Sequence, residues 1–273
     1  MADRTGIEWT EATWNPTTGC DRVSSGCDNC YALALAKRLK AMGQVKYQLD
    51  GDTRTSGPGF GLTVHPDALE MPLRLRRPSR IFVNSMSDLF HVGVPDDFVA
   101  EVFGVMAAAS WHIYQVLTKR PQRMASLLGD PEWPLRVWST ASGRGVVGLE
   151  QPEISLVLDN VWLGTTIEDD RYAFRADHLR ATPASIRFLS LEPLLGPLPS
   201  LDLADIHWVI VGGESGTGAR PMDLGWAREL RDRCLDEGIP FFFKQHGGRT
   251  PKANGRELDG RTWDEMPSLA SMS

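Results

Sequence analysis

The chain has 273 residues, of which 42% are hydrophobic and 23% are charged, a composition typical of a folded protein with a large apolar core. Its net charge of −6 argues against a protein that binds nucleic acid through overall positive charge. The sequence shows no run of about 18 apolar residues and no apolar leader segment, so we expect a cytoplasmic protein without a membrane partner.

Short apolar runs and helical patterns alternate along the chain. The first predicted strand is 13–19, and the first predicted helix runs from Tyr31 to Met42. Further strands, which are short and rich in β-branched and aromatic residues, are predicted at 81–83, 113–117, 161–164, 186–189, 208–211 and 241–243. Further helices are predicted at 95–110, 171–180 and 224–237.

This alternation predicts the fold class. Strands that alternate with helices form parallel sheets, so we expect an α/β protein built as a partial or closed parallel (β/α) barrel. No domain boundary is evident in the sequence, and residues 1–273 are predicted to form one barrel domain. Two stretches, near 43–80 and 130–158, interrupt the alternation and are interpreted as insertions.

Each later predicted strand ends in a cluster of polar residues. In parallel barrels the carboxyl ends of the strands meet at one end, where such enzymes hold their substrates. We therefore take as candidate cofactor-binding residues Asn84, Ser85, Ser87, Asp88, Lys119, Thr165, Glu168, Glu192, Gly212, Gly213, Glu214 and Lys244. Polar residues are also common in ordinary turns and caps, and this structural explanation stays open for each of them.

Three of the four cysteines lie close together in the sequence. Six residues separate Cys20 from Cys27 and two separate Cys27 from Cys30, so the three thiols can reach one metal centre. They suit a [4Fe–4S] cluster with one iron left open, since such a cluster usually has four cysteine ligands. A zinc site and a redox-active dithiol are the alternatives. Cys234 falls on the inner stripe of its predicted helix and is interpreted as core packing.

Several segments of the chain resemble a known family. They include GCDNCYA around the cysteines, FVNSMSDLFH, LTKRP, WLGTTIED, FLSLEPLLGP, WVIVGGESG and PFFFKQHGG, and the resemblance extends from residue 7 to about 265. On these segments the chain resembles an uncharacterised, phage-associated family of three-cysteine proteins. Three clustered cysteines ahead of a parallel barrel also resemble the radical S-adenosylmethionine (radical SAM) superfamily, although the spacing here is six and two residues rather than the usual three and two.

The resemblance to radical SAM enzymes implies two cofactors and a reaction. A [4Fe–4S] cluster on the three cysteines would bind S-adenosylmethionine. After reduction by an electron donor, it would cleave this cofactor to a 5′-deoxyadenosyl radical that takes hydrogen from an unknown substrate. The strand end at residues 84–88 would hold the methionine amino group of the cofactor, and Thr118, Lys119 and Arg120 suit its carboxylate or an anionic substrate.

The remaining candidates are interpreted by residue type. Hydrogen bonds to ribose or substrate are expected from Thr165, Glu168, Glu214 and Lys244, and close backbone approach at Gly212 and Gly213. Glu192 follows a buried strand directly, so its carboxylate is expected to pair with Lys119 or Lys244. The competing interpretation is a metal-stabilised module, with zinc or an iron–sulfur cluster, that binds nucleic acid or a protein. The basic run Arg74–Arg80 is the sequence feature that favours this module.

Overall fold

The computed structural model describes residues 5–143, 157–250 and 253–268. The strands of these residues are β1 (Ala12–Trp14), β2 (Thr17–Thr18), β3 (Thr63–Val64), β4 (Arg80–Val83), β5 (Ile113–Thr118), β6 (Val161–Thr166), β7 (Ile186–Leu191), β8 (Trp208–Gly212), β9 (Phe241–Gln245), β10 (Glu257–Leu258) and β11 (Arg261–Thr262). The helices are α1 (Tyr31–Ala41), α2 (Met71–Arg74), α3 (Asp96–Ala108), α4 (Pro121–Leu128), α5 (Trp133–Gly143), α6 (Arg175–Arg180) and α7 (Leu224–Glu237). The predicted strands and helices are found with bounds that differ by a few residues, except that the predicted first strand, 13–19, is divided into β1 and β2, which belong to different sheets.

Local chemistry explains where the long helices begin and end. Helix α3 follows Pro95 and carries Asp96 and Asp97 in its first turn, where negative charge complements the helix dipole. Helix α7 begins after Asp223, whose side chain accepts a hydrogen bond from the Gly225 amide. It ends at Gly238, which adopts the left-handed conformation that glycine tolerates. Helix α6 is shorter than predicted, because residues 170–172 form a 3-10 turn instead.

Seven strands form one parallel sheet in the order β1-β4-β5-β6-β7-β8-β9. Strands β1 and β9 are its two edges, so the sheet curls into a half-barrel flanked by helices and does not close. This confirms an α/β fold with a partial parallel barrel. The first predicted insertion contains β3, which pairs with β2, and the second contains α5, while its residues 144–156 lie outside the described residues. No described helix has the length and apolar character needed to cross a membrane.

The two faces of the curled sheet have different partners. The outer face packs under the helices, with Val83, Val116 and Leu163 in the main apolar core. The inner face begins with an aromatic floor, formed by Trp9, Phe82, Trp162, Phe188, Trp208 and Phe242. These rings fill the amino-terminal half of the half-barrel. Because side chains alternate along a strand, the positions two residues after Phe82, Phe188 and Phe242 share their face and lie nearer the carboxyl ends. They are the polar residues Asn84, Ser190 and Lys244, which line the space above the floor.

The free edge of β9 is covered by the chain itself. Asp264 forms an antiparallel bridge with Phe242, and the Phe243 amide donates a hydrogen bond of 2.9 Å to the Trp263 carbonyl. The Trp263 ring packs edge-on against Phe241. We call residues 263–265 the C-terminal strap, and it extends the hydrogen bonding of the sheet beyond its last parallel strand.

Candidate functional site

A cavity of about 630 Å³ lies above the aromatic floor at the carboxyl ends of the strands. Its wall includes Cys20, Cys27 and Cys30. Most of the candidate residues also line it, namely Asn84, Ser85, Ser87, Asp88, Lys119, Glu192, Gly213, Glu214 and Lys244. Thr165, Glu168 and Gly212 do not line it, and each takes a different place. The fold therefore brings the cysteines and the strand-end polar residues to one cavity.

The three clustered thiols are free and largely screened from solvent. Burial raises the pKa of Cys20 to about 12, and it also raises the pKa of Cys30. The Arg120 guanidinium lies beside the first thiol, with Nη1 donating to Cys20 Sγ at 3.4 Å. Cys234 is a separate case, since it is fully buried in the apolar core under α7. Its predicted role in core packing is confirmed.

Asp88 is the centre of a hydrogen-bond network at the end of β5. Its carboxylate accepts from the Thr118 hydroxyl at 2.7 Å, from the Lys119 amide at 3.1 Å and from Arg120 Nη1 at 2.9 Å. The Phe90 amide donates a fourth bond of 3.0 Å. Arg120 in turn donates to the Asp21 carbonyl at 3.0 Å. Asp88 thus orients the arginine that contacts Cys20, and its oxygens are already engaged.

The neighbouring turn holds the remaining early candidates. Ser87 donates to the Gly19 carbonyl at 2.6 Å, next to Cys20, and Tyr31 donates to the Ser85 carbonyl at 2.6 Å. Asn84 adopts a left-handed backbone conformation with φ of 62°. Its Nδ2 is buried and has no hydrogen-bond partner among the described residues. This turn therefore contacts the cysteine segment at both of its ends.

Glu168 is a fully buried carboxylate under the cysteine loop, which we define as residues 20–30. It accepts from Lys119 Nζ at 2.6 Å, from Arg175 Nη1 at 3.0 Å and from the Ser24 hydroxyl at 2.6 Å. Burial would raise the pKa of Glu168, but the two cations outweigh it and hold that pKa below its usual value. The carboxylate is therefore charged and ties the loop to β6.

Gly26 shows how closely the loop approaches Glu168. A Cβ added at this glycine would overlap the Glu168 carboxylate. We expect Gly26→Ala to lower the free energy of unfolding by about 1–3 kcal/mol, because the buried ion pair has to shift. Chemical denaturation of the two proteins measures the difference. Gly6→Ala is the matched control, since nothing lies within 4 Å of its added Cβ, and equal stability losses in both variants would contradict the expectation.

Glu214 holds the other end of the cysteine loop. It accepts from Asn29 Nδ2 at 2.9 Å and from Arg220 Nε at 2.9 Å. Arg220 also donates to the Ser25 carbonyl at 2.9 Å and lies 3.6 Å from an Asp28 oxygen. Burial would raise the pKa of Glu214, but these donors hold it below its usual value. This second buried carboxylate ties the loop to the end of β8.

Glu192 and Lys244 form an ion pair of 3.0 Å in the cavity wall that does not touch the cysteine loop. They reach each other across β8, where a Cβ at Gly212 would come 2.7 Å from Glu192 Oε1. Gly212 therefore makes room for the pair rather than lining the cavity. Both charged groups keep part of their surface exposed, so they are available to a ligand.

The family of the chain is shown by a match over residues 4–267 to a family described as protein of unknown function, DUF5131. The chain belongs to the DUF5131 family. No curated protein and no solved structure matches it. The match covers nearly the whole length of the chain, and the family description names no reaction.

The alternation of side chains along β6 decides which of its last two threonines lines the cavity. Strand β6 runs through Thr166, two residues beyond its predicted end. Thr165 shares the outer face with Leu163, is fully buried and donates to the Thr118 carbonyl at 2.9 Å. Thr166 points the other way and lines the cavity. The hydroxyl that faces the cavity is therefore that of Thr166, one position after the proposed Thr165.

The residues that fasten the cysteine loop were the ones that the strand-end argument missed. They are Ser24, Asn29, Arg175 and Arg220. Arg120 was expected to meet an anion, and in the structure it bonds Asp88 and Cys20. Ser24 and Asn29 bond carboxylates 144 and 185 residues away, whereas Arg175 and Arg220 bond Glu168 and Glu214 only seven and six residues away.

The arrangement of donors bears on which metal fits. Among residues 5–143, 157–250 and 253–268, no group of three or more His, Cys, Asp or Glu side chains converges on one metal-ion position. A structural zinc ion needs four donors at roughly 2.0–2.3 Å. In an iron–sulfur cluster each thiolate binds a different iron, so the sulfurs stand further apart. The three thiols of the cysteine loop are one donor fewer than a structural zinc site takes.

Proposed function

We propose that this protein is a radical SAM enzyme that acts on a substrate yet to be identified. The observation that carries the proposal is the meeting of three free cysteines with the strand-end polar residues around one cavity. Cys20, Cys27 and Cys30 would hold a [4Fe–4S] cluster. When bound there, the cluster would supply the electron that cleaves S-adenosylmethionine reductively to a 5′-deoxyadenosyl radical.

The protein groups around the cavity divide into two sets. Asp88, Glu168 and Glu214 have their carboxylate oxygens engaged by arginine, lysine or amide donors, so they position the cysteine loop. The Glu192–Lys244 pair and the Gly213 backbone face the cavity from the other side. We assign these groups to S-adenosylmethionine and substrate. Glu168 and Glu214, which were expected to bind ribose, are therefore assigned to positioning the cysteine loop.

Volume and burial are consistent with this assignment. A cavity of about 630 Å³ lies within the range of roughly 300–1,000 Å³ typical of small-molecule sites. The aromatic floor closes the cavity below. The proposal includes a cytoplasmic location, because a reducing compartment keeps neighbouring thiols free for a metal. The proposal also includes the association with phage, which does not indicate a reaction.

Anaerobic purification tests the proposal. The chain is reconstituted with iron and sulfide, and about four iron and four sulfide atoms per chain are expected. Addition of dithionite and S-adenosylmethionine is then expected to release 5′-deoxyadenosine, which is measured by chromatography. Omission of dithionite is the control and should release none. A colourless protein that carries one zinc per chain would favour the metal-stabilised binding module and reject the enzyme.

A further inference from the structure

Arg120 is a cation that contacts the cysteine loop at a sulfur atom. It is the residue that immediately precedes α4, at the carboxyl end of β5. Its Nη1 donates to Cys20 Sγ at 3.4 Å. In the described part of the chain, Cys20 is the one thiol of the loop that receives a hydrogen bond from a charged side chain. The three thiols therefore have unequal surroundings.

The position of the Arg120 side chain is fixed by further bonds. The same Nη1 donates to Asp88 Oδ2 at 2.9 Å, and Nη2 donates to the Asp21 carbonyl at 3.0 Å. An arginine Nη atom carries two hydrogens, so the bonds to Cys20 and Asp88 can form together. Only 14% of the Arg120 side chain is exposed. The guanidinium is therefore held against Cys20 Sγ rather than free to turn into solvent.

Cys27 has a different neighbour, the Ser24 hydroxyl. Ser24 Oγ lies 3.8 Å from Cys27 Sγ, but a hydroxyl has a single hydrogen to donate. Ser24 donates this hydrogen to Glu168 Oε1 at 2.6 Å, so it has none left for sulfur. The chain thus directs a cation at Cys20 and a neutral oxygen at Cys27.

A cation that bonds a ligand sulfur acts on the redox state of an iron–sulfur cluster. The reduced cluster carries one more negative charge than the oxidised cluster, so a positive donor at sulfur stabilises the reduced form more. Resting on the cluster of the proposed function, we infer that Arg120, held by Asp88, is a positioning residue that raises the reduction potential of the cluster through Cys20. The Asp88 charge opposes this effect, but Arg120 makes the contact with sulfur.

The midpoint potential of the reconstituted full-length chain tests the inference. It is measured by titration with dithionite while the visible absorbance is followed. One electron passes from dithionite, which is oxidised, to the cluster, which is reduced, and no covalent bond to the protein changes. Arg120→Met removes the charge and the donor and leaves Asp88 uncompensated. The ratio of reduced to oxidised cluster at a fixed potential should fall tenfold or more, which lowers the midpoint by at least about 59 mV.

Two further variants serve as controls. Arg123→Met is the matched control, because Arg123 lies on α4 close to Arg120, donates to the Val94 carbonyl at 2.7 Å and pairs with Asp96. None of its bonds in the described residues goes to a thiol, so its midpoint should equal that of the original chain. Arg120→Lys keeps the charge with a shorter reach, so its midpoint should lie between those of Arg120→Met and the original chain.

Each outcome decides for or against the inference. An unchanged or higher midpoint in Arg120→Met, or equal drops in Arg120→Met and Arg123→Met, overturns it. If Arg120→Met alone fails to hold the cluster, a lowered midpoint in Arg120→Lys supports the inference and an unchanged one overturns it. Loss of the cluster from both Arg120 variants would make Arg120 a structural residue and also overturns it.

The proposed function is tested separately from the midpoint. If the original chain holds the cluster and Arg120→Met lowers its potential, but no 5′-deoxyadenosine forms, the proposed function is rejected and the role of Arg120 stands. If 5′-deoxyadenosine forms and the midpoint does not move, only the role of Arg120 is overturned. An original chain that takes up no iron–sulfur cluster overturns both.

Discussion

Changing Cys20, Cys27 or Cys30 to alanine, one at a time, is expected to abolish incorporation of the iron–sulfur cluster. The three thiols belong to one loop and line one cavity. Two thiolates hold a cluster weakly, so each single loss should be nearly complete. Iron and sulfide content after anaerobic reconstitution, together with visible absorbance, measures the effect.

Cys234→Ala is the matched control for these variants. This thiol is buried in the apolar core under α7 and faces no cavity that the cluster would use. Its replacement should lower stability slightly and leave the iron content unchanged. Loss of iron from this variant would show that the ligand set has been assigned wrongly. Full iron retention by any of the three loop variants would do the same.

Glu168→Gln is expected to cause the largest loss of stability among the strand-end residues. The substitution removes the negative charge from a fully buried site and leaves Lys119 and Arg175 without their counter-ion. Breaking one partner of a buried pair typically costs about 3–5 kcal/mol. The bond to Ser24 also weakens, so the cysteine loop should loosen. Urea denaturation at neutral pH measures the change in the free energy of unfolding.

Asp259→Asn provides a comparison with the same chemistry at the surface. Asp259 also pairs with two cations, Arg228 and Arg231, but its side chain is 42% exposed. Exposed ion pairs contribute little to stability, so this variant should stay close to the original chain. Equal losses from Glu168→Gln and Asp259→Asn would contradict the role assigned to burial.

The free energy of unfolding should also depend differently on acidic pH in Glu168→Gln. The pKa of Glu168 is lower in the folded chain than its usual value of about 4.3. Its contribution is therefore complete above that usual value and is lost as pH falls through the lower folded pKa. Glu168→Gln removes this contribution, so its stability should fall less steeply with acid than that of the original chain.

The fold could be predicted from the sequence because its signals are local. Runs such as 208–211 and 241–243 are too short and too apolar for exposed strands, and helical spacing between them indicates crossovers. A sheet with crossovers is parallel, so its carboxyl ends, with their polar clusters, share one end. That reasoning placed Glu192 and Lys244 at one end of the sheet, and the structure brings the three cysteines to the same cavity.

The roles of individual residues needed the structure. Ser24 bonds Glu168 across 144 residues of chain, and Asn29 bonds Glu214 across 185 residues. No local pattern encodes which loop a carboxylate will reach. The side of the sheet that a residue faces is equally sensitive to register. Of the two adjacent threonines that end β6, Thr166 alone lines the cavity, because neighbouring side chains of a strand point to opposite faces.

The C-terminal strap bears on how copies of this protein meet in solution. An open parallel sheet presents unpaired amide and carbonyl groups along its edges, and such edges promote aggregation between molecules. Here Trp263 and Asp264 occupy the free side of β9, and Arg231 and Arg261 stack over the Trp263 ring. Another molecule would have to displace this segment, with its aromatic and cation–π contacts, before it could add a strand. The half-barrel therefore stays open without offering that side as a template for polymerisation.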